Sequence, residues 1–375
     1  MRVAVDATAI PEQLGGVGRY VVEVMPALAA LGVHVTALVR PGTADWLVGP
    51  GVDAVEAPAL THRRPTRLFW EQAGLPALVL RLGVDVLWSP HYTMPAVRPG
   101  AAARVVTLHD ATFFSSPEVH TSVKGALFRR ATLRAVREAD ALVVPSAATR
   151  DEVLRYAPGD AGRFHVAHHG VDRGHFHAVA DEEKERVAAS LGLTCPYVAF
   201  VGTLEPRKNV PALVAGWRAA VRDLPDPPAL VLAGQRGWDD EVGAALAQVE
   251  PHLTVVTPGY LPLADLPGFL AGAQVVAYPS LGEGFGLPVL EAMACGAVVL
   301  TTRRLSLPEV GGDAVAYCGT SPDEIAAGLS GLLADHGRRT DLAARATDRA
   351  ALFTWDRSAR EHLTAFEAAL GRYRS

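Results

Sequence analysis

The chain has 375 residues, 49% apolar and 20% charged, with 35 Lys+Arg against 40 Asp+Glu for a net charge of −5. At roughly 150 residues per domain this is a two-domain globular composition, which excludes a disordered chain and a strongly basic protein that coats nucleic acid. No stretch reads as a membrane span: the charge-free candidate 266–282 is broken by Pro267, Gly268, Gly272 and Pro279, whereas a spanning helix needs about 20 mostly apolar residues.

The N-terminus enters a strand pattern at once and shows no signal-peptide apolar region. In the first half, short apolar runs at 3–5, 35–39, 84–88, 105–108, 141–144 and 164–167 predict strands. Amphipathic segments at 18–31, 121–138 and 147–156 predict the helices between them. Runs that are apolar throughout belong to strands buried on both faces, the mark of a parallel sheet. A charged stretch at 181–186 interrupts the pattern, which then restarts with strands at 197–201, 229–233, 253–256, 275–278 and 297–300. Helices are expected at 210–221, 287–294, 322–335 and 356–373. Two runs of strand–helix alternation predict an α/β protein with two doubly wound domains facing a cleft, divided at 178/179 and at 355/356. The three cysteines, Cys195, Cys295 and Cys318, form no CxxC and fit a reducing cytoplasm.

Ligands of such sheets sit beyond the carboxyl ends of the strands, so the loops there carry the candidates. The first loop holds Gly15-Gly16-Val17-Gly18-Arg19 and opens a helix, whose N–H groups suit an anion. Val21 replaces the third glycine of a dinucleotide fingerprint, and the second strand ends in Arg40 rather than an acid, which weakens a nicotinamide oxidoreductase. His109 follows the strand at 105–108 and is placed to donate to a sugar hydroxyl or reacting centre. The third loop ends in Arg207-Lys208-Asn209 just before a helix. The helix dipole repels cations there, so the pair makes sense with a polyanion between it and the helix; a solvated surface pair is the alternative. The fourth holds Glu283 in a glycine-rich loop and Glu291 about one turn into the next helix, with backbone N–H groups at Phe285, Gly286 and Leu287. Each carboxylate suits a pair of vicinal hydroxyls. Five histidines between His165 and His177 lack an accompanying carboxylate pattern for a metal, and no Asp-x-Asp triplet occurs.

Together EGFGLPVLEAMACG, GTLEPRKN, LHDATFF, VPSAATRDEV, HHGVD and LPEVGGDA, with FTWDRSAR near the end, resemble the retaining glycosyltransferases of family 4, over nearly the whole chain. The resemblance implies the GT-B fold: an acceptor domain at 1–178, a nucleotide-sugar domain at 179–355, and a last helix at 356–375 returning to the first. By that resemblance Arg207 and Lys208 hold the diphosphate, Glu291 the ribose, and Glu283 the donor sugar with the N–H groups near Phe285, Gly286 and Leu287. Gly16 approaches the phosphate and His109 the transferred sugar. Two positions depart from the family pattern: Thr203 stands where many members carry Arg, and His169 where many carry Asn. The expected reaction is metal-independent and retaining, without a cofactor, on a nucleoside-diphosphate sugar with a lean to GDP-mannose. The acceptor is a saccharide or lipid-linked saccharide, in the cytoplasm or peripherally on the inner face of the membrane. Lys124, Arg129, Arg130, Arg134 and Arg137, with Arg63, Arg64 and Arg67 before Phe69-Trp70, are the candidate membrane-facing basic groups, with a solvated helix face as the alternative. A sugar-nucleotide epimerase on the same scaffold and a non-catalytic sugar-binding protein are the competing classes.

Overall fold

Among the described residues every strand pairing is parallel, and the cores show why. Val3 and Val5 of the first strand pack into one hydrophobic core while Ala4 between them packs into another on the opposite face. Ala141 and Val143 likewise face one core, and Leu142 and Val144 another. Period-2 alternation between two dry faces makes the run apolar at every position. Each fully buried Val or Leu adds roughly 1.5–3 kcal/mol.

The computed structural model describes residues 1–12, 14–115 and 122–374. The chain divides into two units, Met1–Gly170 with Thr354–Ser375, and Val171–Phe353. In the first unit the strands are β1 (Arg2–Asp6), β2 (His34–Val39), β3 (Val52–Glu56), β4 (Val86–Ser89), β5 (Ala103–Thr107), β6 (Ala141–Val144) and β7 (Phe164–Val166). Their order in the sheet is β3-β2-β1-β4-β5-β6-β7. In the second unit they are β8 (Tyr197–Val201), β9 (Ala229–Ala233), β10 (Val255–Gly259), β11 (Val275–Tyr278), β12 (Val299–Thr302) and β13 (Ala316–Cys318), ordered β10-β9-β8-β11-β12-β13. Both sheets are doubly wound: the order reverses between β1 and β4 in one, and between β8 and β11 in the other.

The structure differs from expectation in several places. β3 and β13 were not foreseen, and the expected strand at 253–256 lies at Val255–Gly259. The charged stretch at 181–186 opens a helix, Asp181–Ser190, with three acids in its first turn. The first unit ends at Gly170 rather than 178, because Val171 and Phe176 pack into the second unit's core and Val171 N donates to Phe353 O at 3.2 Å. The helix expected at 121–138 is described from Ser122 to Glu138; Thr121 lies outside the described residues. The final helix, Trp355–Arg374, buries Ala359, Ala365, Phe366 and Ala369 in the core that holds β1 and the helix Gly16–Ala30. Among the described residues no helix is long and apolar enough to cross a membrane.

Candidate functional site

In a doubly wound sheet the ligand crevice lies outside the carboxyl ends of the strands where the order reverses. In the second unit those strands are β8 and β11, and the loops that leave them carry the Arg207-Lys208 and Glu283 candidates. The first loop winds through a 3₁₀ turn, Pro206–Lys208, that ends at Asn209 with φ 59°. Asn209 tolerates this left-handed conformation, and its Nδ2 donates to Pro279 O at 3.3 Å and Thr320 O at 2.9 Å, tying the two loops together.

The same tie brings the charges into one cluster. Lys208 Nζ donates to Glu283 Oε1 at 2.7 Å and to the Tyr278 hydroxyl. Arg207 pairs with Glu283 Oε2, with Glu205 Oε1 at 2.6 Å and with the Gly282 carbonyl at 2.8 Å. Ser280 Oγ and Tyr278 OH donate to Glu283 Oε1 at 2.7 and 3.0 Å. Burial alone would raise the Glu283 carboxyl, but the charges of Arg207 and Lys208 outweigh it and hold it at about 2. Burial, with Arg207 beside it, lowers the Lys208 ammonium from its ordinary range. The two cations are not the solvated surface pair that stood as the alternative: Glu205 and Glu283 partner them. Glu205, Tyr278 and Ser280 were not foreseen as members of the site. The Glu205-Pro-Arg-Lys spacing was the one available signal.

The second loop turns into the helix Leu287–Ala294 at Gly286, whose φ of 104° is glycine territory; an added Cβ would also stand 2.9 Å from Leu307 Cδ2. The side chains of Phe285 and Leu287 are buried, so what this turn offers a ligand is backbone. Glu291 is the fifth residue of the helix and is buried. Next to it, burial and the Glu291 charge push the Cys295 thiol up to about 12, so it is inert.

In the first unit Gly16 opens the helix Gly16–Ala30 behind the cap Gly15, and both glycines are exposed. His109 lies just past β5, and its Nε2–H donates to the Pro90 carbonyl at 2.7 Å. Burial lowers the imidazole from its ordinary value, so the ring is neutral and its Nδ1 is an acceptor. With Nε2–H committed to Pro90, the nitrogen left for a ligand is Nδ1, an acceptor in the neutral ring rather than the expected donor. Around it stand buried residues the sequence did not single out. Trp88 Nε1 donates to Thr107 Oγ1 at 2.9 Å, which lies 3.1 Å from Tyr20 OH. Tyr20 OH donates to His362 Nε2 at 2.5 Å, and His362 Nδ1–H donates to Ser358 O at 2.7 Å. Tyr20 stands edge-on to His109 at 5.3 Å and 4.6 Å from the His169 ring, which packs where many relatives have Asn. Of the histidines in 165–177, His165 and His169 belong to the first unit, and His175 donates to Leu263 O in the second. Among the described residues no three His, Cys, Asp or Glu side chains are grouped to hold a metal ion.

The sequence pattern of the family described as glycosyl transferases group 1 matches residues 195–335, and that of glycosyltransferase family 4 matches residues 14–175. The chain belongs to glycosyltransferase family 4. The transferase is 29% identical to the O-antigen chain mannosyltransferase B of Escherichia coli, over 84% of this chain and 80% of that protein. It is also 29% identical to a D-inositol 3-phosphate glycosyltransferase of Salinispora tropica, over 96% of this chain and 82% of that one. Among solved structures it resembles Anabaena Alr3699/HepE in complex with UDP and glucose, with a TM-score of 0.75, 17% identity, and coverage of 98% and 99% of the two chains. WaaG, a glycosyltransferase involved in lipopolysaccharide biosynthesis, gives 0.75 and 17% over 97% and 98%. The fold is GT-B, built from two Rossmann-like domains.

Proposed function

We propose that the transferase moves a sugar from a nucleoside-diphosphate sugar to a saccharide or lipid-linked acceptor, with retention and without a metal. The observation that carries this is the pair of buried Lys208 and part-buried Arg207 at the point where the second sheet's order reverses. Arg207 and Lys208 hold the diphosphate, joined by the backbone of the turn Phe285-Gly286-Leu287. Glu283 holds the donor sugar and Glu291 the ribose. Gly16 approaches the phosphate through its backbone, and His109 accepts a hydrogen bond from the transferred sugar through Nδ1.

In the reaction the anomeric C–O bond breaks and its electron pair leaves with the diphosphate. The acceptor oxygen bonds to the anomeric carbon on the same face, and its proton passes to the departing phosphate oxygen. The protein's contribution is to stabilise the charge that grows on the leaving group, work that two preorganised cations and oriented N–H groups perform in place of a metal. The name of the mannosyltransferase relative favours GDP-mannose, and the UDP and glucose of the Anabaena protein keep UDP-glucose in view.

The residues also support a peripheral membrane contact from the cytoplasmic side, which a lipid-linked acceptor would require. On the helix Ser122–Glu138, Leu127, Arg130, Leu133 and Arg137 are all exposed at helical spacing, and Arg63, Arg64 and Phe69 are exposed in the same unit. Part of this basic surface is already paired, Arg134 and Arg137 with Glu138 at 2.9 and 2.7 Å. Co-sedimentation with anionic liposomes tests the contact, and protein left in the supernatant removes it. A thermal-shift screen of UDP, GDP and their sugars tests the donor reading: the right ligand raises the melting temperature by mass action. No shift with any nucleotide, together with none in turnover, would refute it.

A further inference from the structure

Arg207 and Lys208 face Glu205 and Glu283, two positive charges against two negative ones, so the cluster is balanced before any donor arrives. Glu283 is held hard. Its Oε1 takes hydrogen bonds from Lys208, Tyr278 and Ser280, its Oε2 pairs with Arg207, and the residue is 7% exposed. A diphosphate that needs the same cations must displace this carboxylate. A carboxylate that leaves four donors for nothing loses all of that interaction, because a buried charge without partners is costly.

Sugar hydroxyls change the exchange. A nucleoside-diphosphate sugar brings an anion for Arg207 and Lys208 and also vicinal hydroxyls for Glu283, so every charged group ends with partners. A bare nucleoside diphosphate brings only the anion. The backbone need not move: the Ser306 hydroxyl lies 2.7 Å from the Glu283 carbonyl and 2.8 Å from that of Phe285 and shares its one proton between them, which pins the loop while leaving the carboxylate arm to rotate. With its carboxyl held at about 2 by Arg207 and Lys208, Glu283 meets the arriving donor as a carboxylate.

We infer that Glu283 is a displaceable counter-ion of the diphosphate site: it neutralises Arg207 and Lys208 when no donor is bound, yields them when sugar hydroxyls arrive, and returns after transfer to loosen the nucleoside diphosphate product. This rests on the reading that Arg207 and Lys208 hold the diphosphate. It makes Glu283 a discriminator between donor and spent product.

The test is calorimetric titration of the full chain with UDP, GDP and inorganic pyrophosphate, and with UDP-glucose and GDP-mannose. Pyrophosphate reads the anion site without regard to the base. Glu283→Gln leaves the cations without their counter-charge, so it is expected to bind pyrophosphate and the favoured nucleoside diphosphate at least about tenfold more tightly than wild type. Its preference for the sugar-bearing form should shrink in parallel. Tyr278→Phe, which keeps every charge but removes one of the bonds holding Glu283, should tighten the same ligands severalfold, and it decides the matter if Glu283→Gln does not fold. Lys208→Ala should lose binding of all of them. Lost binding in Lys208→Ala with unchanged or weaker binding in a folded Glu283→Gln, or in Tyr278→Phe where it decides, overturns the counter-ion and leaves the donor reading standing. Undiminished binding in Lys208→Ala overturns the donor reading and the counter-ion with it.

Discussion

His362 makes the stability of the first unit depend on pH. The ring is fully buried, its Nδ1–H is committed to Ser358 O and its Nε2 accepts from Tyr20. A proton on Nε2 would put a full charge on a ring with no exposure to solvent. Burial, with His109 nearby, therefore lowers the imidazole to about 4, against 6.5 in the unfolded chain. Below 6.5 the unfolded state takes up a proton that the folded state refuses, so stability falls as pH drops from about 6.5 to about 4. The slope is ~1.4 kcal/mol per pH unit for one proton, and the whole loss about 3 kcal/mol. Burial moves His109 and His169 the same way and adds to the slope. The assay is hydrogen exchange of the helix Trp355–Arg374, read by mass spectrometry at pH 7, 6 and 5 after correction for intrinsic rates. Protection of that helix should weaken as pH falls, and His362→Gln should flatten the dependence by about one proton. The same pH curve in the variant and the wild type would refute the reasoning.

Lys208→Ala should lower kcat by roughly 10²–10³, the scale for losing one preorganised donor, measured by release of nucleoside diphosphate on protein whose melting curve shows it folded. Dialysis against EDTA should leave the initial rate unchanged; a rate restored only by added Mg²⁺ or Mn²⁺ would contradict metal independence. Glu291→Gln should raise KM for the ribonucleotide donor, while a 2′,3′-dideoxyribose donor should respond alike in variant and wild type. At Gly234 the backbone has φ 147° and an added Cβ would stand 1.9 Å from Gly202 O, so Gly234→Ala should destabilise the second unit by more than about 2 kcal/mol in a urea melt.

The strands most legible in the sequence were those dry on both faces. β9, Ala-Leu-Val-Leu-Ala, is buried at every residue and its bounds are those expected. β3, Val-Asp-Ala-Val-Glu, is an edge strand with mostly exposed residues, and its two carboxylates hid it among loops. β10 is the opposite edge of the second sheet and runs through Pro258, a residue tolerated only where no ladder bond is needed. In the site, residue types and their positions after strands were readable, because strand ends place them. Pairing across 70 to 75 residues of sequence was not, and it decides the state of the cations: Tyr278 and Glu283 reach Lys208 only when β8 and β11 lie side by side. The Tyr20–His362 bond, 342 residues apart in sequence, leaves no local pattern to find.

A crystal structure of the transferase with a nucleoside-diphosphate sugar, grown in EDTA, tests the central claim most directly. The account predicts the diphosphate within hydrogen-bond distance of Arg207 and Lys208, and the Glu283 carboxylate turned from them to the sugar hydroxyls. A diphosphate lodged elsewhere, or bound only when a divalent ion bridges its phosphates, would contradict it.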